Sequence, residues 1–197
     1  MMNKFLIPVI ILFTVNSFAI DPPVSKARGV FLAFGVGPRM PISDLSNSTD
    51  LGYGFNIEVS YTDNEYLPFF LFVNVGFEQY PGAQSFYQET DYSNLSTNAL
   101  PVNLGIRYYF SPLLEQIVLL IPIVELSASF TYFEKLHEFK VDSDRINFKE
   151  DISKFGVTGG VGISMFLMEI MAAYHYMESN QYISVDLRVR IPLFINF

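Results

Sequence analysis

The 197-residue chain contains no cysteine, no tryptophan and only two histidines. Without cysteine no disulfide can hold the fold, no thiolate zinc site can form, and no thiol follows the apolar N-terminal run to carry a lipoprotein anchor. Basic residues are scarce, 12 Lys and Arg against 20 Asp and Glu, for a formal charge of −8. They form no stripe or cluster, which argues against nucleic acid as a partner. After the first twenty residues no apolar run approaches the roughly 20 residues a membrane-spanning helix needs. Metal-ligand spacings are missing too: Asp142-x-Asp144 is too small a fragment of a calcium loop, and neither metal nor cofactor is expected. Gly156-x-x-Gly159-Gly160-x-Gly162 lies in an alternating segment and opens no helix, so it is no nucleotide-binding turn.

What is present is apolar. Half the residues are hydrophobic, with 20 Phe and 12 Tyr. A chain this greasy without a helical span has one other way across a bilayer, a closed barrel in which every backbone group pairs with a neighbour. Its front reads as an export signal: Lys4, an apolar core from Phe5 to Phe13, and the small-x-small site Ser17-Phe18-Ala19. Cleavage after Ala19 leaves residues 20–197, one domain by length, carrying about −9 once Lys4 is gone.

The clearest structural signal is the last stretch, Tyr182 to Phe197. Ile183, Val185, Leu187, Val189, Ile191, Leu193, Ile195 and Phe197 share one parity, while Ser184, Asp186, Arg188 and Arg190 share the other. Side chains alternate faces along a strand, so one face is greasy and the other charged. A strand tilted across a bilayer needs about 9–11 residues, and this stretch exceeds that. Seven earlier segments repeat the pattern: Gly29–Gly37, Leu51–Tyr61, Leu67–Gln79, Ala99–Phe110, Val124–Tyr132, Phe155–Phe166 and Glu169–Met177. In the second, Tyr53, Phe55, Ile57 and Val59 alternate with Gly54, Asn56, Glu58 and Ser60. Between segments, Pro38–Asp50, Tyr80–Thr97 and Glu134–Asp151 read as long polar loops, the last an extended hairpin turning at Asp142-Ser143-Asp144. The other connections are short, with a turn at Ser179-Asn180 and an ambiguous stretch from Ser111 to Ile123 that admits an interfacial helix. The fold class is therefore all-β: an eight-stranded antiparallel up-and-down transmembrane barrel, with long external loops and short periplasmic turns. Tyr53, Tyr61, Tyr108, Phe110, Tyr132 and Tyr176 fall near strand ends, where aromatic girdles form. A soluble lipocalin-like barrel is disfavoured, because its outside would be apolar and its inside charged.

The inward positions gather Glu58, Arg107, Glu125, Asp186, Arg188 and Arg190, a candidate lumen charge network, with Glu78 nearer the outside. Charges at membrane depth normally pair with one another, and eight strands leave an interior just wide enough for side chains to fill. The network therefore reads as a plug of ion pairs, or alternatively as the gate of a narrow pore. His137 falls in the third loop and His175 faces inward; no nucleophile motif accompanies either.

These segments, the signal and the terminal Val189-x-Ile191-x-Leu193-x-Ile195-x-Phe197 resemble the small outer-membrane β-barrels of the OmpA/OmpX type. The Gly-Ile-Arg-Tyr-Tyr-Phe segment from Gly105 to Phe110 is similar as well. The resemblance implies residence in the bacterial outer membrane, contact with its lipid, and a C-terminal assembly signal at Val189, Ile191, Leu193, Ile195 and Phe197 read by the outer-membrane assembly machinery. It covers nearly the whole mature chain and carries fold better than function. Members include adhesins, narrow channels and lipid A enzymes. The expectation is a non-enzymatic monomer, structural or surface-binding, whose loops 80–97 and 134–151 face an extracellular ligand. A narrow channel for small or hydrophobic molecules is the alternative, and a lipid A-modifying enzyme using His137 the third.

Overall fold

The computed structural model describes residues 28–63, 66–113 and 120–196. The expected export signal and Phe197 lie outside the described residues. Eight strands follow in chain order: β1 Arg28–Ile42, β2 Gly52–Asp63, β3 Leu67–Pro81, β4 Tyr92–Tyr109, β5 Leu120–Phe139, β6 Phe148–Met165, β7 Met168–Met177 and β8 Gln181–Asn196. Each pairs antiparallel with its sequence neighbour, and β1 closes on β8. Among the described residues no helix is long and apolar enough to cross a membrane. The faces follow parity: Phe55, Ile57 and Val59 point outward and are half exposed, while Asn56, Glu58 and Ser60 between them are buried. The apolar side chains thus form the outer wall and the polar ones the interior, the arrangement a lipid-embedded barrel needs.

Several strands run further than their apolar pattern. β1 continues through Pro38 and Pro41 to Ile42, so Pro38–Asp50 is not all loop; a 3₁₀ turn at Ser43–Asn47 follows. Proline lacks an N–H, but both prolines sit near the rim, where a missing ladder bond is tolerated. β3 extends to Pro81, β4 begins at Tyr92, and only a short helix, α1 (Gln84–Glu89), separates them. Segment 80–97 is therefore strand at both ends. β5 starts at Leu120 rather than Val124 and reaches Phe139, and β6 starts at Phe148. Most of 134–151 is thus a paired hairpin, closed by a 3₁₀ turn at Val141–Ser143. The Ser111–Ile123 connection lies partly outside the described residues.

The terminal alternation is interrupted. Phe31 pairs with Pro192 but Val30 pairs with Phe194, leaving Leu193 as a bulge. Beyond it Phe194 shares the outward face of Val30, and Ile195 comes opposite inward Gly29. Pro192 cannot donate to the ladder, and a bulge beside it absorbs the break. The positions expected to form an assembly signal, Val189, Ile191, Leu193 and Ile195, therefore do not occupy a single face.

Strand lengths are unequal around the ring. β5 and β6 pair up to His137–Phe148, whereas β6 meets β7 only from Gly156–Met177 downward. The upper parts of β4, β5 and β6 form a small sheet standing above the rest of the barrel.

Candidate functional site

The interior is built from strands whose lumen-facing residues alternate in size. Ala33 of β1 lies between Glu58 of β2 and Arg190 of β8, and Gly35 lies between Asn56 and Arg188. These small residues let the long side chains of both neighbouring strands meet across β1. Gly160 plays the same part on β6 beneath Glu125, where an added methyl would fall 2.9 Å from the Glu125 Cγ.

Arg107 is the centre of the network and is wholly buried. Its guanidinium donates two parallel bonds to the Glu58 carboxylate, Nη1 to Oε1 at 2.7 Å and Nη2 to Oε2 at 2.6 Å. It also donates to Glu125, 2.7 Å from Nη2, and its Cζ lies 4.7 Å from the Phe72 ring centroid. Paired parallel bonds of this kind are the strongest geometry open to arginine and carboxylate. Arg188 donates to Glu125 at 3.0 and 3.2 Å, and Arg190 donates to Glu58 at 2.9 Å. Five of the six candidate lumen residues therefore form one connected cluster.

Asp186 touches this cluster only through a long ion pair and is held mainly from elsewhere. It accepts from Arg39 at 2.8 Å and is 3.7 Å from Arg188. Arg39 also donates to Glu78 at 2.7 Å, and the Tyr80 hydroxyl donates to the other Glu78 oxygen at 2.7 Å. This outer cluster turns on Arg39, which lies in β1 and not in the expected loop Pro38–Asp50; its parity with Ala33, Gly35 and Gly37 is the signal in the sequence that points it inward. At the periplasmic end Glu169 completes the network, accepting from Arg190 at 2.8 Å and from the Tyr109 hydroxyl at 2.6 Å. Glu169 shares parity with His175, but its place beside the β6–β7 turn concealed it.

Between the two clusters an asparagine ladder joins Asn56, Asn74 and Asn103, with bonds of 3.0 and 3.3 Å. A cavity of ≈ 20 Å³ remains beside it, room for about one water molecule. Above, the lumen is stoppered by an apolar group: Leu45 from the first 3₁₀ turn packs with Tyr80, Ala99, Phe133, Met177 and Tyr182. Leu45 lies in a segment whose composition is otherwise polar, so nothing local marks it as core.

His175 lines the lumen. It bonds the Thr158 hydroxyl at 3.0 Å and the Ser184 hydroxyl at 2.9 Å and stacks on Tyr182. His137 sits on the raised sheet between the Tyr92 hydroxyl at 3.1 Å and Glu150 at 3.2 Å, with its ring stacked on Phe148. Its partners are thus a tyrosine hydroxyl and a glutamate carboxylate. Aromatic stacking continues from Tyr92 to Phe139, and Lys149, held above its ordinary pKa by its hydrogen bond to Glu134, clips β5 to β6 on the other face.

No curated protein matches the chain. Among solved structures it is similar to Neisserial surface protein A, at 15% identity over 85% of this chain and 99% of that one, with a TM-score of 0.48. It is also similar to the attachment invasion locus protein Ail of Yersinia pestis, at 13% identity over 85% and 99%, with a TM-score of 0.44. A third is the N-terminal β-barrel domain of Pseudomonas aeruginosa OprF, at 11% identity over 84% and 100%, with a TM-score of 0.41. Likeness at this level carries no functional argument. The family model for the outer membrane protein beta-barrel domain matches residues 5–181. The chain belongs to that family, the outer membrane protein β-barrels, which locates it in the bacterial outer membrane.

Proposed function

We propose that this barrel is a non-enzymatic surface-binding protein that works through the sheet raised above the membrane, the lumen serving as its structural core. One observation carries the reading: β4, β5 and β6 stay paired well beyond the point where β7 stops, and their tip presents Val141 and Ile146 at 99% and 87% exposure. A rigid scaffold that lifts a stacked aromatic sheet into the medium, with bare aliphatic side chains at its tip, is built for contact. The interior favours this over conduction. It is filled by ion pairs, narrows to room for about one water and is stoppered by Leu45.

The test is to replace residues 138–150 with a two-residue turn and compare attachment of the expressing cells to host-cell and matrix surfaces. Loss of attachment with the barrel still assembled is the expected result. Undiminished attachment would sink the reading. Planar-bilayer recording of the intact protein is expected to show no discrete conductance, and regular channel openings would favour a pore.

A further inference from the structure

We infer that the periplasmic mouth of the lumen is a binding cup for a small, uncharged aromatic molecule that carries one hydrogen-bond donor. The cup is independent of the surface-binding reading, which concerns the opposite end of the barrel. Through most of the ring the inward positions are polar or small. At the end that carries Arg28 and the β6–β7 turn they become Phe31, Phe70, Tyr109 and Ile121. Lipid solvates the outer wall but does not reach these inward faces. At the outer end the inward apolar side chains pack under Leu45. At the periplasmic end they surround a cavity of ≈ 450 Å³. Small-molecule sites span about 300–1,000 Å³ and are mostly apolar, with a few placed polar groups.

The walls depend on several strands. Inward positions of β2 at this end are only Ser60 and Thr62, so rings from β1 and β3 meet across it. Phe31 and Phe70 lie 5.5 Å apart by ring centroid, and Phe70 meets Tyr109 edge to face at 4.8 Å. Gly29 leaves room for the Phe31 ring, since a Cβ there would fall 2.6 Å from its Cε2. The bulge at Leu193 brings Ile195 onto the same wall. Phe166 forms the lip. It occupies the first of the two central positions of the β6–β7 turn, with φ at 56°, and is 80% exposed. Glycine or asparagine is usual where such a turn needs a positive φ. A phenylalanine there is strained, and strain of this kind gathers at ligand clamps.

The floor sets the ligand class. There the Tyr109 hydroxyl and the Arg190 guanidinium donate to Glu169 at 2.6 and 2.8 Å. Behind them Glu58, Glu125 and Glu169 are matched by Arg107, Arg188 and Arg190, three charges of each sign. At the rim Arg28 is paired with Asp63 at 2.8 Å. An ionic ligand would give up its hydration and meet no unmatched counter-charge, so the cup selects against ions of either sign. Thr62 and Ser164 also line it, 8% and 5% exposed, and their side chains make no hydrogen bond among the described residues. A hydroxyl can accept from a ligand N–H or O–H, while the rings favour edge-to-face or offset contact with another ring.

Indole is the probe, with indole carboxylate and tryptamine as its anionic and cationic counterparts. Each is titrated into the folded barrel in phosphatidylcholine nanodiscs and followed by amide NMR. Saturable shifts at Phe31, Thr62, Phe70, Tyr109, Ser164 and Phe166 below about 1 mM are expected, with both ions at least about tenfold weaker. Phe166→Gly separates binding from architecture, because it removes the strain and the ring together. The barrel should then resist urea at least as well as before, while indole binds roughly tenfold weaker. Ser164→Leu, checked for assembly by its migration before and after boiling, should fill the floor and abolish binding. Shifts that never saturate and extend to outward Val30 and Tyr108 would mean partition into lipid and would overturn the cup. Equal binding of the three molecules, no saturable shift up to about 1 mM, or full affinity in either variant would overturn it as well.

Discussion

Arg107 shows how a single residue governs the interior. It is wholly buried and bridges Glu58 and Glu125. Buried ion pairs add little net stability, because desolvation of both partners offsets their attraction. Removing one partner is different, since it leaves a buried charge unpaired. Arg107→Met is expected to lower the unfolding free energy by about 3–5 kcal/mol, read by urea titration in lipid vesicles, with partial recovery on adding Glu58→Gln. A loss below about 1 kcal/mol would mean that the lumen admits enough water to solvate the carboxylates. Two glycines give a sharper contrast. A Cβ on Gly37 would collide with the Val185 carbonyl oxygen, whereas one on Gly159 meets nothing within 4 Å. Gly37→Ala should cost about 1–3 kcal/mol through forced backbone movement, and Gly159→Ala should stay within about 0.5 kcal/mol. The same titration checks both.

Elements differ in how they treat their exposed backbone. The upper edge of β4 depends on the Tyr87 hydroxyl, which accepts from the Leu95 N–H at 2.9 Å. Tyr87→Phe is expected to speed exchange of the Leu95 amide and cost about 1 kcal/mol; unchanged exchange would mean the loop backbone covers the edge without it. The first 3₁₀ turn depends on Leu45 in the same way. Leu45→Ala removes the centre of the outer stopper and should cost about 2–5 kcal/mol, measured as an earlier urea midpoint. Strand parity was legible along every element, because lipid on one face and ion pairs on the other enforce it residue by residue. Strand length was not. Where Tyr92–Asn98 and Glu134–Phe139 rise above the bilayer, both faces become polar or mixed. The alternation then disappears although pairing continues.

For the molecule as a whole, the closed ladder from β1 to β8 leaves no free edge at membrane depth among the described residues. Barrels closed in this way keep their structure in detergent until heated. An unboiled sample is expected to migrate differently from a boiled one and to fractionate with the outer membrane; a soluble protein with no heat shift would reverse the inside and outside of every strand. Closure also explains why a lumen with so many charges is compatible with stability. Each carboxylate finds its guanidinium across the ring, several of them on strands far apart in sequence, as Glu58 and Arg190 are.

The sequence by itself determined the fold class, the eight strands and the facing of nearly every side chain, since a two-residue period reports its environment locally. It also placed six charges inward, five of which come together. Only the tertiary structure decided who pairs with whom, because partners such as Arg39 and Asp186 meet through ring closure and not through spacing. It alone revealed Glu169 as a hub, Leu45 as a stopper and the bulge at Leu193. It alone showed that the segments resembling loops are a raised sheet whose β6 edge rises above the end of β7. Edges are properties of neighbouring strand lengths, and no single strand encodes the length of its neighbour.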